Sequence, residues 1–318
     1  MDNLLVAWFR FRRGKKKKTD VRFFELTLGD NLAKIYEQLE AKSYVHAGYS
    51  VFNVSDPKPR IIHKAQVVDR VVHRLIYDTL YWYFHARFIH DSYSCRRGGG
   101  PHKAIERFKK FAGQVSENHT RTAWVLKCDI RKFFASIDHA RLKQILTRHI
   151  RDPELLWLCD KVTGSFHSGI VGKGLPLGNL TSQLFGNVYM HELDMYIKQE
   201  LRVKHYIRYA DDFILLSYDR SELENLLPKI RDFLLSDLKL DLHKDKVFIK
   251  TYASGVDFLG WVHFPKYRVL RTSTKRRMLK NLGWYPKRET VNSYRGLLKH
   301  GNTHKVKLKT GRSEREIR

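Results

Sequence analysis

Two adjacent aspartates, Asp211 and Asp212, interrupt the apolar run HYIRYADDFILLSY at residues 205–218. Tyr206, Ile207 and Tyr209 precede them and Phe213, Ile214, Leu215 and Leu216 follow, a composition that predicts two short strands. Aspartate tolerates turn conformations, so the Asp-Asp pair reads as the tight turn of a hairpin. A solvated acidic tip is the plain reading. The chain, however, carries 60 Lys and Arg against 33 Asp and Glu, a formal charge of +27. Like-charged acids gain nothing from being placed together unless something cationic sits between them. Phosphoryl-transfer sites that use two divalent ions draw carboxylates from more than one element. Asp129 is the candidate third group, because it ends the apolar strand Trp124–Cys128 and would emerge at a sheet edge beside the hairpin. Two Mg²⁺ ions (Mn²⁺ as the alternative) about 4 Å apart would lower the pKa of an attacking hydroxyl and neutralise a leaving pyrophosphate.

Composition bounds the kind of protein that must position these groups. With 318 residues, 42% of them hydrophobic and 13% aromatic, the chain is long enough for a folded protein of two or three packed subregions. The charge excess predicts a polyanionic partner, nucleic acid first and a membrane surface second. No segment reaches the roughly 18 apolar residues of a spanning helix, so no membrane partner is expected. The N-terminal MDNLLVAWFRFRRGKKKK has a short apolar stretch from Leu4 to Phe9 with its charge following, the reverse of a secretory signal. It reads as an amphipathic segment and a basic connector. Cys95, Cys128 and Cys159 are too far apart for CxxC spacing and form no disulfide framework, which makes a reducing cytoplasm the expected compartment. The 16 histidines show no HExxH spacing, and the Gly-rich stretch 164–178 lacks GxxxxGK[ST].

Along the chain, Leu32, Ile35, Tyr36 and Leu39 predict a helix within 30–47, with Asp30 or Asn31 as its cap. Residues 49–63 predict strand, turn and strand; 64–89 a buried helix; SYSCRRGGGPHKAIERFKKF a Gly-rich loop entering a basic helix. Strand 122–130, a helix from about Asp138, a helix over 180–201, the hairpin, a helix over 221–238 and strands near 245–250 and 256–264 complete the order. This is an α+β pattern, with helices on one face of a largely antiparallel sheet. Residues 266–318 hold 17 Lys and Arg against three Asp and Glu, with Tyr267, Trp284, Tyr285 and Tyr294 interleaved. That mixture suits a nucleic-acid backbone, with Lys275, Arg276, Arg277, Lys280 and Trp284 as candidate contacts. The final KVKLKTGRSEREIR reads as disordered without a partner.

From about residue 56 to 264 the chain resembles a bacterial reverse transcriptase. Tyr209-Ala210-Asp211-Asp212 matches the YxDD box, and KCDIRKFFASID matches the upstream metal-binding box, which implies Asp129 as the third metal ligand. In that box the resemblance implies Ile130 beside the nucleotide and Phe134 as the aromatic that packs on the ribose and selects dNTP over rNTP. KPRIIHKAQVVDRVV resembles a fingers segment, with Lys58 and Arg60 as triphosphate contacts. SYSCRRGGGPHKAI resembles the next, with Arg96 or Arg97 in a similar role. LHKDKVFI resembles the box whose lysine, here Lys246, protonates pyrophosphate, and VDFLGWVHF resembles the primer-grip strands. The implied architecture is a right-hand polymerase. It has an N-terminal extension (1–55), fingers (56–121), palm (122–265) and a short basic thumb with its tail (266–318).

GLPLGNLTSQLFGNVYMHELD, residues 174–194, narrows the resemblance. Leu177-Gly178-x-x-x-Ser182-Gln183 is similar to the form found in diversity-generating retroelements, and SYRGLLKHGNTHKV resembles their thumb. Those enzymes copy a template RNA into cDNA with errors opposite adenine (mutagenic retrohoming). The resemblance implies Gly178 and Gln183 at the nucleotide, and Arg60, Leu177 and Gln183 as tuners of fidelity. A loosely held template base or dNTP would shrink the penalty for a mismatch. The implied partners are template RNA, the RNA–cDNA duplex, dNTP and a pentameric accessory protein. Another bacterial reverse transcriptase, such as a phage-defence enzyme, and a non-catalytic RNA-binding scaffold are the rival readings.

Overall fold

The computed structural model describes residues 1–55, 59–283 and 287–304. Lys58, Trp284 and the tail from 305 lie outside the described residues. Three helices come first, α1 (Asp2–Arg12), α2 (Thr19–Leu26) and α3 (Leu28–Glu40). Each buries an apolar stripe, such as Leu4, Ala7, Trp8 and Phe11 on α1. The third is preceded by Thr27 at the cap position, three residues before the expected Asp30 and four before Asn31. The antiparallel pair β1 (Tyr49–Val54) and β2 (Arg60–Ala65) leads into α4 (Val67–Arg87), which has neither Gly nor Pro to interrupt it. α5 (Pro101–Val115) follows the Gly-rich loop, with Pro101 in the first turn, where its missing N–H has no helical partner to lose.

Next come β3 (Trp124–Asp129), the single turn α6 (Phe133–Ser136), α7 (His139–His149) and α8 (Pro153–Gly164). Asp138 and Asp152 cap the last two by accepting backbone N–H bonds. α9 (Leu180–Met195) continues as a π-helical turn over Tyr196–Glu200. The hairpin β4 (Tyr206–Tyr209) and β5 (Asp212–Ser217), α10 (Arg220–Ser236) and β6 (Phe248–Thr251) follow. The described chain closes with β7 (Val256–Phe258), β8 (Trp261–His263), β9 (Arg268–Leu270), α11 (Thr272–Asn281) and α12 (Arg288–Leu298).

The central sheet has the order β4-β5-β3-β6, with every neighbouring pair antiparallel. Side chains alternate between its faces. Tyr206, Leu126, Cys128, Phe213 and Leu215 enter the main core with α4, α9 and α10. Ile207, Val125, Ile214 and Leu216 enter a second core with Phe108 and Phe111 of α5 and with Phe258. Helices therefore cover both faces, not the one face expected from the sequence. The reason is α5. It reads as basic, but Ala104, Ile105, Phe108, Phe111, Ala112 and Val115 form a buried stripe at helical spacing. Asp129 and Asp212 sit on this second face, at the end of the strands. A third core joins Ile105 to Trp261, Leu270, Met278, Leu282 and Leu298, which docks the three-stranded sheet β7-β8-β9 and the last two helices on α5. Among the described residues no helix is long and apolar enough to cross a membrane.

Phe213 is fully buried opposite Cys128 in the central strands. Phe213→Ala should lower unfolding stability by about 3–5 kcal/mol in a urea titration, with the slope of the transition unchanged.

Candidate active site

Tyr209 pairs with Asp212, so the hairpin loop is Ala210-Asp211 and the turn lies one residue earlier than the Asp-Asp pair suggests. Ala210 supplies the left-handed conformation, at φ 56°, which non-glycine residues seldom adopt. Asp211 is thereby left at the tip. Asp212 becomes the first residue of β5, directly opposite Asp129 at the end of β3. Backbone bonds close the strand ends around them: Ile130 N–H donates to Asp211 O at 3.2 Å, and His243 N–H to Asp129 O at 2.8 Å. Ile130 itself is buried in the core, so its backbone is what it presents here.

Two lysines hold the carboxylates. Lys246 Nζ donates to Asp129 Oδ1 at 2.6 Å, and Lys127 Nζ lies 3.2 Å from Asp212 Oδ2. Lys127 is nearly buried, on the same face as Asp129 two residues away. The other oxygen of Asp212, Oδ1, is buried without a hydrogen-bond partner. Burial pushes the Asp212 carboxyl up to about 7; Lys127 opposes this, and Asp129 and Asp211 add to it. Burial also raises Asp211, as does the charge of Asp129, while Lys246 and Arg60 pull it down. The pocket is thus short of positive charge despite the basic chain. An orphaned carboxylate oxygen beside two further carboxylates fits a divalent cation. As they stand, no three His, Cys, Asp or Glu side chains among the described residues are grouped to hold a metal ion, the ammonium groups engaging two of the acids instead.

Behind the hairpin lies a buried ion pair. Arg208 and Asp194 are both fully buried. Arg208 donates from Nε to Asp194 Oδ1 at 2.7 Å and from Nη2 to Oδ2 at 2.6 Å, a bidentate pair. Tyr206 Oη donates to the same Asp194 Oδ1 at 2.8 Å. Arg208 Nη1 reaches Asn187 Oδ1 and the carbonyl of Ala210, both at 3.2 Å. The guanidinium therefore ties the turn that carries Asp211 to α9.

Phe133 and Phe134 lie in one helical turn. Their ring centroids are 5.0 Å apart. Phe133 is buried and Phe134 half-buried, and both rings lean on Gly186, where a Cβ would come within 3.3 Å of each. Gly178, at φ +108°, packs so closely on β2 that a Cβ would lie 2.8 Å from Ile62 Cγ2. His63 N–H donates to Leu177 O at 3.0 Å, and Asn179 Nδ2 donates to His63 O at 3.1 Å. The loop of Leu177 and Gly178 is thus stitched to the strand that begins at Arg60. Gln183 is exposed in the first turn of α9, beside buried Ser182.

Arg96 and Arg97 diverge. Arg96 Nη1 donates to Ile89 O at 2.6 Å and Ser92 O at 2.8 Å, commitments that fold its own loop. Arg97 lies over the rings of Trp82 and Tyr81, at 4.8 and 5.7 Å. On α11, Arg276 and Lys280 are exposed one turn apart, while Lys275 and Arg277 are half-buried. Sequence reasoning missed Lys127 and the Arg208–Asp194 pair. Strand alternation places Lys127 on the face of Asp129, and a lone arginine inside an apolar run signals a buried partner.

A profile described as reverse transcriptase (RNA-dependent DNA polymerase) matches residues 54–263. The chain belongs to the reverse transcriptase family. Among its relatives, Protein YkfC of Escherichia coli is 24% identical over 261 residues, covering 70% of this chain and 66% of YkfC. The group II intron-encoded protein LtrA of Lactococcus lactis is 24% identical over 221 residues, covering 48% of this chain and 36% of LtrA. The chain thus spans between about a third and two thirds of the length of these relatives. In fold it is similar to apo telomerase from Candida tropicalis, with a TM-score of 0.51 at 11% identity, over 76% of this chain and 60% of that one. Telomerase from Candida albicans in complex with a telomeric RNA fragment aligns with a TM-score of 0.52 at 11% identity, over 80% and 50%.

Removing one partner of a buried ion pair leaves the other charge uncompensated. Asp194→Asn should therefore cost about 3–5 kcal/mol in denaturant unfolding, more than an exposed Asp→Asn change. A second expectation concerns pH. A carboxyl raised in the folded state stabilises the fold below the unfolded value of 3.8, and that contribution is lost as pH rises through about 7. In chelator-treated protein the melting temperature should fall across that window through this group. Asp212→Asn should flatten the fall in a calorimetric pH series.

Proposed function

We propose that the chain is an RNA-directed DNA polymerase. A primer 3′-hydroxyl attacks the α-phosphate of a dNTP chosen by an RNA template; the new P–O bond forms as the bond to pyrophosphate breaks. The observation that carries this reading is Asp129 facing Asp212 across two strands, with Asp212 Oδ1 buried and unpartnered. Asp129, Asp211 and Asp212 would hold two Mg²⁺ (or Mn²⁺) ions, which supply activation of the hydroxyl and charge neutralisation of the leaving group. Lys246, anchored on Asp129, gives a proton to pyrophosphate. Phe134, braced by Gly186, excludes a ribose 2′-hydroxyl. Lys58 and Arg60 meet the triphosphate.

Residues 56–121 serve as fingers, 122–265 as palm and the basic segment from 266 as thumb, with 1–55 an extension. In the thumb, Arg276 and Lys280 present charge to the template–primer backbone. The finer reading is a diversity-generating enzyme that works in the cytoplasm with an accessory pentamer. It rests on Leu177-Gly178-x-x-x-Ser182-Gln183 and on the contact of that loop with the strand of Arg60. A group II-type enzyme is the second reading, favoured by the likeness to LtrA.

Primer extension on an adenine-containing RNA with dNTPs and Mg²⁺, followed by sequencing of the cDNA, tests both. Asp211→Asn and Asp212→Asn should each reduce product to background, and Lys246→Ala should slow it by about 10²-fold or more. Errors concentrated opposite adenine, and altered by Arg60→Ala or Leu177→Ala, support the finer reading. Faithful cDNA would remove it. Aspartate-independent product would remove the polymerase.

A further inference from the structure

A second cationic cleft has none of the three aspartates in its lining. It has a volume of about 530 Å³, in the range of a small-molecule pocket, between the end of α4, the Gly-rich loop at 94–100 and α5. Arg96, Arg97, Lys103, Arg107 and Lys110 line it, with Glu106 the lining carboxylate. The internal pairings leave a clear surplus. Arg96 is spent on carbonyls, Arg107 binds Asp91 through Nε at 2.6 Å, and Glu106 is taken by Arg268 at 3.0 Å. Arg97, Lys103 and Lys110 have no carboxylate partner among the described residues. The cations that bear on Asp211 and Asp212 are Lys127, Lys246 and Arg60, not these three.

Aromatic rings of α4 adjoin the cleft through His85 and Arg97, which line it. Tyr77, Tyr81 and His85 stack along α4 at 4.8 and 5.1 Å, and Trp82 stands beside them 55% exposed, with the Arg97 guanidinium 4.8 Å from its ring. An exposed indole beside cations that have no carboxylate partner offers a stacking platform for a base. Lys103 and Lys110 are two turns apart on α5, about 10 Å along its axis, the length of roughly three stacked nucleotides at 3.4 Å each.

We propose that this cleft binds single-stranded RNA outside the polymerisation site, with a base stacked on Trp82 and phosphates on Arg97, Lys103 and Lys110. Stacking favours RNA over an acidic peptide, which would use the cations but leave the indole face bare. The proposal rests on the RNA-directed reading, and places a second stretch of the template RNA on the enzyme. The His102 and His300 rings are tilted against each other, with centroids 3.9 Å apart, so the C-terminal segment at His300 borders the cleft and would meet the same RNA.

The test is fluorescence anisotropy of the full chain with an unpaired 12-nucleotide RNA, alongside extension of a short primed template at saturation. Lys103→Glu/Lys110→Glu should weaken single-strand binding at least tenfold, and Trp82→Ala several-fold. Trp82→Phe should retain binding. Short-template extension should stay near wild type in all of them. Lys103→Gln/Lys110→Gln and melting curves guard against misfolding. Unchanged RNA affinity in the folded variants would overturn the proposal. So would extension lost in step with binding, which would make the cleft part of the polymerisation channel. Equal competition by an acidic peptide would overturn the preference for RNA. If the wild type binds RNA through the cleft but extends nothing, the polymerase reading fails and the cleft stands.

Discussion

The carboxylate site depends on a buried guanidinium. Arg208 points away from the chemistry, into the core, where Asp194, Asn187 and the Ala210 carbonyl accept from it and Tyr206 Oη donates to the same Asp194. A hairpin tip would otherwise be among the softer parts of a sheet. Here the turn is bonded to α9 from behind, and Asn187 carries the connection on by donating to Ser94 O at 2.9 Å. A charge with fewer partners could not remain in such a place. The full complement of bonds lets the core hold it and makes the geometry of Asp211 a property of the packed interior, not of the loop alone.

On the solvent side the problem is reversed. Three acids converge on the strand ends, and burial disfavours the charged forms of Asp211 and Asp212. Lys127 and Lys246 meet part of that deficit. They approach from different elements, one along the same strand as Asp129 and one from the 3₁₀ turn Lys244–Lys246 before β6. The acids are thereby kept near one another without being driven apart by repulsion. One oxygen is left with nothing to bind.

Much of this was legible in the sequence. The apolar runs around Asp211 and before Asp129 located the strands, and the YADD and KCDIRKFF boxes located the carboxylates. The turn was misplaced by one residue because aspartate is the usual turn former, whereas the left-handed position fell on Ala210. The second helical layer was missed because the lysines of α5 conceal its apolar stripe. Arg96 looked like Arg97 by spacing alone. Only the path of the loop shows that one guanidinium folds the backbone while the other reaches aromatic rings. The Arg208–Asp194 pairing joins residues whose meeting depends on how α9 packs under the hairpin, which no local pattern specifies.

The stitch between Leu177 and His63 has a mechanical consequence. β1 and β2 form a two-stranded ribbon apart from the central sheet. Such a ribbon would be free to swing, were it not bonded through His63 to the loop entering α9 and pressed against Gly178. Any rigid-body tilt of the ribbon must drag the start of α9 with it or break those bonds. Arg60 at one end and Gln183 at the other therefore move as a single lever, and a displacement felt by either is transmitted to both.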